Sequence, residues 1–472
     1  MKPDDIFDAV GEVSDAYVAD AGCARRLKKT HIAKWCSVAA CLALVIGAFI
    51  LIYPGGNAGS GAGTGLTYMS YAGPVFSLTV RESADGISAT RDITLDFADY
   101  AQAHGTFAAV KDAYTLKNTT ENDITVTAMY PYAANASDVP PVLEINGEKV
   151  EASLYFGGTN GRFSSFADYE TLLKDGSYPD CVFESTQSLD IPVYVYRLHD
   201  YVYTKDPKAG NPTLQFSFNL DYDKTFVYSY NMNGGVYDVE NGYAARSCSS
   251  IKIKDGNIDE KYKYPSDAFV IICGEDIDSY KLQGYRDGGC DKGEEVDDLT
   301  CTVTRYETTF GEIIEHCLND FAANGYSVTG GLETYKSLVA ALLGENGKLL
   351  ADGLDGGMLE DIFSHVRTSQ RIIYAAVEVT IPSGGTIDVV ATLQKPASVD
   401  YVGEGTDRNG YAVAARLGSC LSFESQTATV TNFDSVEIIR NNFGFDLENG
   451  KTTVSLDPST DHYYIDIRKK QG

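Results

Sequence analysis

The side chains that could do chemistry are scattered, and their spacing decides what they can do. Beyond residue 54 lie seven cysteines: Cys181, Cys248, Cys273, Cys290, Cys301, Cys317 and Cys420. A zinc or dithiol site needs two thiolates on one turn, usually as C-x-x-C, and no such pair occurs. The odd number leaves at least one thiol free, with one or two disulfides open. Cys273 closes the apolar run Phe269–Ile272, which predicts a buried small hydrophobe. His316 and Cys317 are adjacent on a predicted helix, so their side chains diverge by about 100° and cannot form a dyad. Neither H-E-x-x-H nor G-x-S-x-G is present. Ser249-Ser250-Ile251-Lys252 fits S-x-x-K, but its S-D-N and K-T-G partners are missing. The stretch also reads as a strand instead of a helix start. These absences predict a chain that is not an enzyme and takes no cofactor.

One acidic loop could bind a cation. Asp287, Asp291, Glu294, Glu295, Asp297 and Asp298 are interleaved with Gly288, Gly289 and Gly293. Asp287, Asp291 and Asp297 are the calcium candidates, because hard cations take carboxylate oxygens. The EF-hand register fails, since Gly289 takes the third position and Lys292 the sixth. The favoured reading is a solvated acidic loop without metal.

Charge and hydropathy then set the organisation. The 472 residues carry a net charge of −28. In residues 1–34 the acids Asp4, Asp5, Asp8, Glu12, Asp15 and Asp20 balance the bases Lys2, Arg25, Arg26, Lys28, Lys29 and Lys34, so the whole excess lies further on. Such a surface repels phosphate backbones, which excludes nucleic acid as a partner. Trp35–Tyr53 is an uncharged run of 19 residues ended by Pro54. As a helix it would span roughly 28 Å, the thickness of a bilayer core. Trp35 and Tyr53 stand where aromatic belts sit, and Leu42 and Phe49 would face lipid. The bases precede this run and the first charge after it is Arg81, so the N-terminus is expected inside and the bulk of the chain outside the cell membrane. A signal peptide would have a much shorter and basic leading region.

Inside, Pro3 and two acids open a helix whose Ile6, Val10, Val13 and Tyr17 share one face. That stripe is the candidate site for a cytoplasmic partner. Pro54–Gly65 is a flexible tether without phosphate-loop spacing. Outside, 32 tyrosines and 20 phenylalanines against a single tryptophan favour strands. Val110–Asn118 and Ile124–Tyr130 alternate around a short polar turn and read as a hairpin. So do Val142–Ile145 and Val150–Tyr155 around Asn146-Gly147. Leu214–Leu220 and Phe226–Tyr230 alternate as well, as do Ile373–Ile381 and Ile387–Leu393 around Pro382–Gly385. Thr309-Phe310-Gly311-Glu312 is a capping box. It opens a helix with the stripe Phe310, Ile313, Ile314, Cys317, Leu318 and Phe321, and further helices follow near 332–343 and 357–366.

The expected fold is therefore mainly β: one transmembrane helix, then extracellular antiparallel sandwich modules of the immunoglobulin-like kind with a helical insertion. The segments are a cytoplasmic piece 1–34, a membrane helix 35–53, a linker 54–66, a first sandwich 67–205, a second β module 206–308, the helical insertion 309–370 and a C-terminal β region 371–472.

Two stretches, Asp4-Asp5-Ile6-Phe7-Asp8-Ala9-Val10-Gly11-Glu12-Val13-Ser14-Asp15 and Trp35-Cys36-Ser37-Val38-Ala39-Ala40-Cys41-Leu42-Ala43-Leu44-Val45, resemble the N-termini of single-pass Firmicutes membrane proteins described as anti-sigma factors or sigma-factor regulators. The resemblance covers about the first 50 residues. It implies a Gram-positive source and an inner segment that contacts a sigma factor. The zinc pattern H-x-x-x-C-x-x-C of such regulators is absent, since His31 and Cys36 are wrongly spaced. Tyr68–Pro74 and Asn442–Leu447 are similar to uncharacterised surface proteins. Two functions follow. One is a transmembrane sensor that regulates a sigma factor. The other is a cell-surface protein whose tyrosine-rich exterior binds glycan, peptide or cell wall, with the inner tail as an anchor.

Overall fold

The computed structural model describes residues 68, 70–98, 100, 107–157, 163–173, 189–203, 213–219, 225–232, 235–237, 242–247, 267–286, 293–345, 357–399 and 408–470. The inner stripe Ile6, Val10, Val13 and Tyr17 and the apolar run with Trp35, Leu42, Phe49 and Tyr53 lie outside these. Among the described residues no helix is long and apolar enough to cross a membrane. The mainly β class holds. Strands dominate, joined by four described helices: α1 Phe166–Leu173, α2 Phe310–Ala323, α3 Gly331–Glu345 and α4 Leu359–Thr368.

A first sandwich is built from both ends of the described chain. One sheet runs in the order Val436–Asn441, His462–Lys469, Asn409–Ala414, Pro74–Val75, Ile124–Asn135, Gln370–Ile381, Ser153–Phe156. Its partner runs Thr453–Ser455, Ser422–Thr431, Ile87–Asp96, Phe107–Asn118, Thr386–Pro396, Val142–Ile145, Glu148–Val150. Period-two alternation turns Ile87, Ala89, Ile93 and Leu95 inward from one sheet and Val126, Ala128, Tyr130 and Tyr132 from the other. Residues 371–472 are thus not a separate β region, because Gln370–Ile381 pairs along its whole length with Ile124–Asn135.

The expected hairpin around residues 119–123 is instead an arch. Phe107–Asn118 pairs with Ile87–Asp96 and Thr386–Pro396, while Ile124–Asn135 belongs to the facing sheet. Pro382–Gly385 makes the same crossing in reverse. The buried Asn118 side chain ties the two corners, donating to Asn122 O at 2.7 Å and Ile381 O at 3.1 Å. Asn146-Gly147 does form a tight hairpin, with φ of 51° and 83° as its turn type requires, but its second arm is Glu148–Val150, and Ser153–Phe156 crosses to pair with Gln370–Ile381 in the facing sheet. The sheets are not purely antiparallel either. Ser422–Thr431 runs parallel to Ile87–Asp96, and Pro74–Val75 parallel to Asn409–Ala414.

Between strands Ser153–Phe156 and Gln370–Ile381 the chain makes a second body. Thr225–Tyr230, Ala268–Gly274, Pro192–Tyr203 and Leu299–Thr309 form a four-stranded sheet, and a five-stranded sheet containing Thr213–Phe218 faces it. Strand 192–203 therefore belongs to this body and not to the first sandwich. The four-stranded sheet is covered on both sides. Tyr196, Leu198, Val270 and Ile272 meet the five-stranded sheet, while Val193, Phe226, Tyr228 and Ile271 meet α2–α4. That is why Thr225–Tyr230 is buried at every position. Helix α2 opens with the predicted capping box between Thr309 and Glu312 and buries the whole predicted stripe. Helix α1 was not predicted; its Tyr169 packs on Phe76 with ring centroids 5.4 Å apart.

The first sandwich encloses a charged pair. Arg91 and Asp112 occupy inward positions at 1% and 0% exposure. The five guanidinium hydrogens have five acceptors. Nε and Nη2 donate to the two Asp112 oxygens at 2.8 and 2.7 Å. Nη1 donates to Ser77 Oγ and Ala414 O, both at 2.8 Å, and Nη2 to Phe76 O at 3.1 Å. Tyr114 and Tyr130 hydroxyls complete the carboxylate at 2.7 and 3.2 Å. Removing one partner strands a buried charge, so Asp112→Ala is expected to cost about 3–5 kcal/mol in urea unfolding. Arg91→Met with Asp112→Leu should recover much of that loss. A single-variant loss under about 1 kcal/mol would mean that the pair is solvated.

Candidate functional site

The described chain has a well-formed concavity with polar groups in an apolar wall. It lies at one end of the first sandwich and encloses about 710 Å³. Tyr130–Asn135 and Val75 supply one side, Thr392–Pro396 and Phe107 the other, and the loop 138–141 a third. Pro74, Pro131, Pro140, Pro141 and Pro396 stand in these walls. Proline fixes the backbone and removes a donor, so the lining is stiff and poor in N–H groups. At the mouth Phe107, Val139 and Val142 are 41%, 88% and 42% exposed, unusual for large apolar side chains so close together.

Alternation in Thr386–Pro396 turns Ile387, Val389, Ala391 and Lys395 inward. The last of these inward places holds an amine. Lys395 is 2% exposed, and its Nζ donates to Ala72 O at 2.6 Å. Burial pushes its pKa down to about 7, with the Asp138 charge acting the other way. Asp138 is exposed, and its carboxylate already accepts from Asn135 N at 2.9 Å. Tyr132, on the opposite wall, is 5% exposed, and its hydroxyl has no hydrogen-bond partner among the described residues. Burial, then the Asp138 charge, raises its pKa, so it stays protonated. Thr329, between α2 and α3, holds the wall loop from outside through its N–H to Ala136 O and its hydroxyl to Asp138 O, both at 2.8 Å.

Chemically, the site offers a mainly apolar volume, the desolvated Lys395 amine and the Tyr132 hydroxyl, with Asn135, Asp138, Thr392 and Gln394 also in its walls. It can enclose an apolar group and exchange a proton at Nζ near neutral pH.

The residues singled out by sequence lie elsewhere. Asp297 is exposed, and Asp287 and Asp291 lie outside the described residues. The neck of that loop is closed by Arg286, whose side chain meets Glu294 at 2.7 Å. Among the described residues no cluster of His, Cys, Asp or Glu could hold a metal ion. Cys273 is buried as expected, and burial lifts its thiol to about 12. Cys317 is buried in the helical layer, while the ring of the adjacent His316 meets Phe269 edge-on at 5.2 Å. Cys273, Cys317 and Cys420 are free thiols. Ser249–Lys252 lies outside the described residues. The tyrosines expected to meet a ligand are mostly core: Tyr114, Tyr130, Tyr228, Tyr374 and Tyr411 are buried, whereas Tyr280 and Tyr326 are exposed. Lys395 was missed. The signal was available, as a lysine in the inward register of an otherwise apolar alternation.

No family model matches the chain. No curated protein matches it either. Among solved structures, it matches one from Legionella pneumophila described as a proposed nutrient binding protein, at 6% identity and a TM-score of 0.30, over 84% of this chain and 72% of that one. A likeness this low carries no argument.

The amine has a testable signature. An unfolded lysine titrates near about 10.4, whereas folded Lys395 titrates at about 7. Between these values the unfolded chain binds a proton that the folded chain does not, so stability rises with pH across that window. Lys395→Met is expected to be more stable than the parent at pH 6 by several kcal/mol, on the order of 4. The gap should shrink steadily toward pH 10. Denaturation curves showing an equal gap at both pH values would place the amine in water.

Proposed function

We propose that this chain is a membrane-anchored, single-pass protein whose β-rich part lies outside the cell and binds a ligand in the end cavity of its first sandwich. The observation that carries the binding reading is the cavity of about 710 Å³ with Phe107, Val139 and Val142 exposed at its mouth. Its volume falls within the usual range for small-molecule sites. Apolar walls poor in donors favour an apolar ligand over a glycan, which needs many hydrogen bonds. The anchor reading is supported by the uncharged run Trp35–Tyr53 and the bases that precede it. Protease added to intact cells is expected to remove residues beyond the tether and spare an N-terminal tag.

A second reading is a transmembrane regulator of a sigma factor. It is supported by the stripe Ile6, Val10, Val13 and Tyr17 and by the resemblance of the first 50 residues. Under it, full-length protein captures a sigma factor from its own cells, and Ile6→Asp with Val10→Asp abolishes capture.

The binding reading is tested on full-length protein in lipid nanodiscs against a panel of small amphipathic compounds and cell-wall fragments. Val139→Glu and Val142→Arg are expected to weaken any hit at least roughly tenfold, since each puts a charge at an apolar mouth. The melting temperature should not change. Hits indifferent to both substitutions would remove the cavity from consideration.

A further inference from the structure

We propose that the cavity selects ligands that join an apolar aliphatic or aromatic body to a single carboxylate, with Lys395 and Tyr132 receiving the acid group. The inference rests on the cavity being a binding site and names its ligand class.

Four observations lead there. The walls are apolar and proline-rich, so most of the ligand must be apolar. The inward Lys395 reaches Ala72 O as its acceptor among the described residues, while an ammonium carries three donors. The Tyr132 hydroxyl on the facing wall has no acceptor among the described residues. The charge that acts on this amine is Asp138, which is exposed and accepts from Asn135 N, and among the described residues no carboxylate forms an ion pair with Nζ. Two donors short of acceptors in a largely apolar cavity are matched by a carboxylate, which only accepts. A ligand cation would find its counter-charge only at the exposed Asp138 of the wall loop and would be opposed by an ammonium at Nζ, and a dianion would bring one charge too many.

The burial that depresses the amine gives binding a proton signature. Without ligand, Nζ is largely neutral at pH 8. An entering carboxylate favours the ammonium, so one proton is drawn from solvent onto Nζ and a charge-assisted pair forms. No covalent bond is made or broken. The groups facing Nζ across the cavity are Tyr130 and Tyr132 from Ile124–Asn135 and Asp138 from the wall loop. Both tyrosines have pKa values raised by burial and keep their protons over this range.

The test uses full-length protein in nanodiscs with 4-phenylbutyrate and its uncharged amide, by titration calorimetry at pH 8 in buffers of different ionisation enthalpy. The acid is expected to bind at least roughly tenfold more tightly than the amide, as charge-assisted hydrogen bonds allow. It should take up close to one proton. Lys395→Met should remove both the preference and the proton uptake. Tyr132→Phe, which keeps the ring, should reduce the preference severalfold, and it serves if the lysine variant is poorly folded. Equal binding of acid and amide, or a preference that survives Lys395→Met, overturns the ligand class while leaving the cavity as a site. Absence of binding by both compounds, or binding indifferent to Val142→Arg, overturns the cavity reading and this inference together.

Discussion

A buried arginine that finds an acceptor for every hydrogen is the condition on which the first sandwich closes. Arg91 cannot be buried unless Asp112, Ser77, Phe76 and Ala414 are all in place. Asp112 in turn needs Tyr114 and Tyr130, which come from facing sheets. Apolar packing alone would tolerate many relative positions of two twisted sheets. A paired charge in a dry core tolerates few, because each lost partner leaves an unmet polar group. The network therefore sets the registration of the sheets, and the cavity at their end inherits that geometry. Tyr68 extends the same logic to the edge of the described fold, since its hydroxyl bonds the buried Asp466 at 2.5 Å and Arg440 holds the other oxygen.

Local patterns in the sequence were legible and long-range ones were not. The α2 capping box, its buried stripe and the Asn146-Gly147 turn follow from neighbours within a few residues, and each is present as read. Val110–Asn118 and Ile124–Tyr130 failed at the next level. Two alternating strands around a short turn put the same residues inward whether they pair beside each other or arch across a core. Period two cannot distinguish these cases. What decides is Asn118, whose amide bridges two corners more than 250 residues apart in sequence, a contact no local reading contains. The membership of Pro192–Tyr203 was hidden for the same reason.

Tyrosine count misled in an instructive way. A tyrosine-rich acidic exterior reads as a ligand surface, yet Tyr114, Tyr130 and Tyr228 fill cores. Tyr114 and Tyr130 also spend their hydroxyls on an interior carboxylate. The site that emerges is built mainly of proline and aliphatic walls, with Tyr130, Tyr132 and one lysine among them. Lysine is rarely buried without a partner, and here that rarity is the most informative local departure from pattern. Sequence alternation placed it inward, but only the fold shows that a cavity adjoins it.

The arrangement of the two bodies also bears on how the chain is made. Ile124–Asn135 waits for Gln370–Ile381, which is synthesised more than 230 residues later. At ordinary ribosomal speeds of about 5–20 residues per second, that delay is roughly 10–50 s. Throughout it, half a sandwich has unpaired edges, while the intervening body has all its own pairing partners and can form first. Nascent chains should therefore pass through a stage in which the middle is native and the flanks are not. That interval is long enough for holdase chaperones to bind the exposed strands.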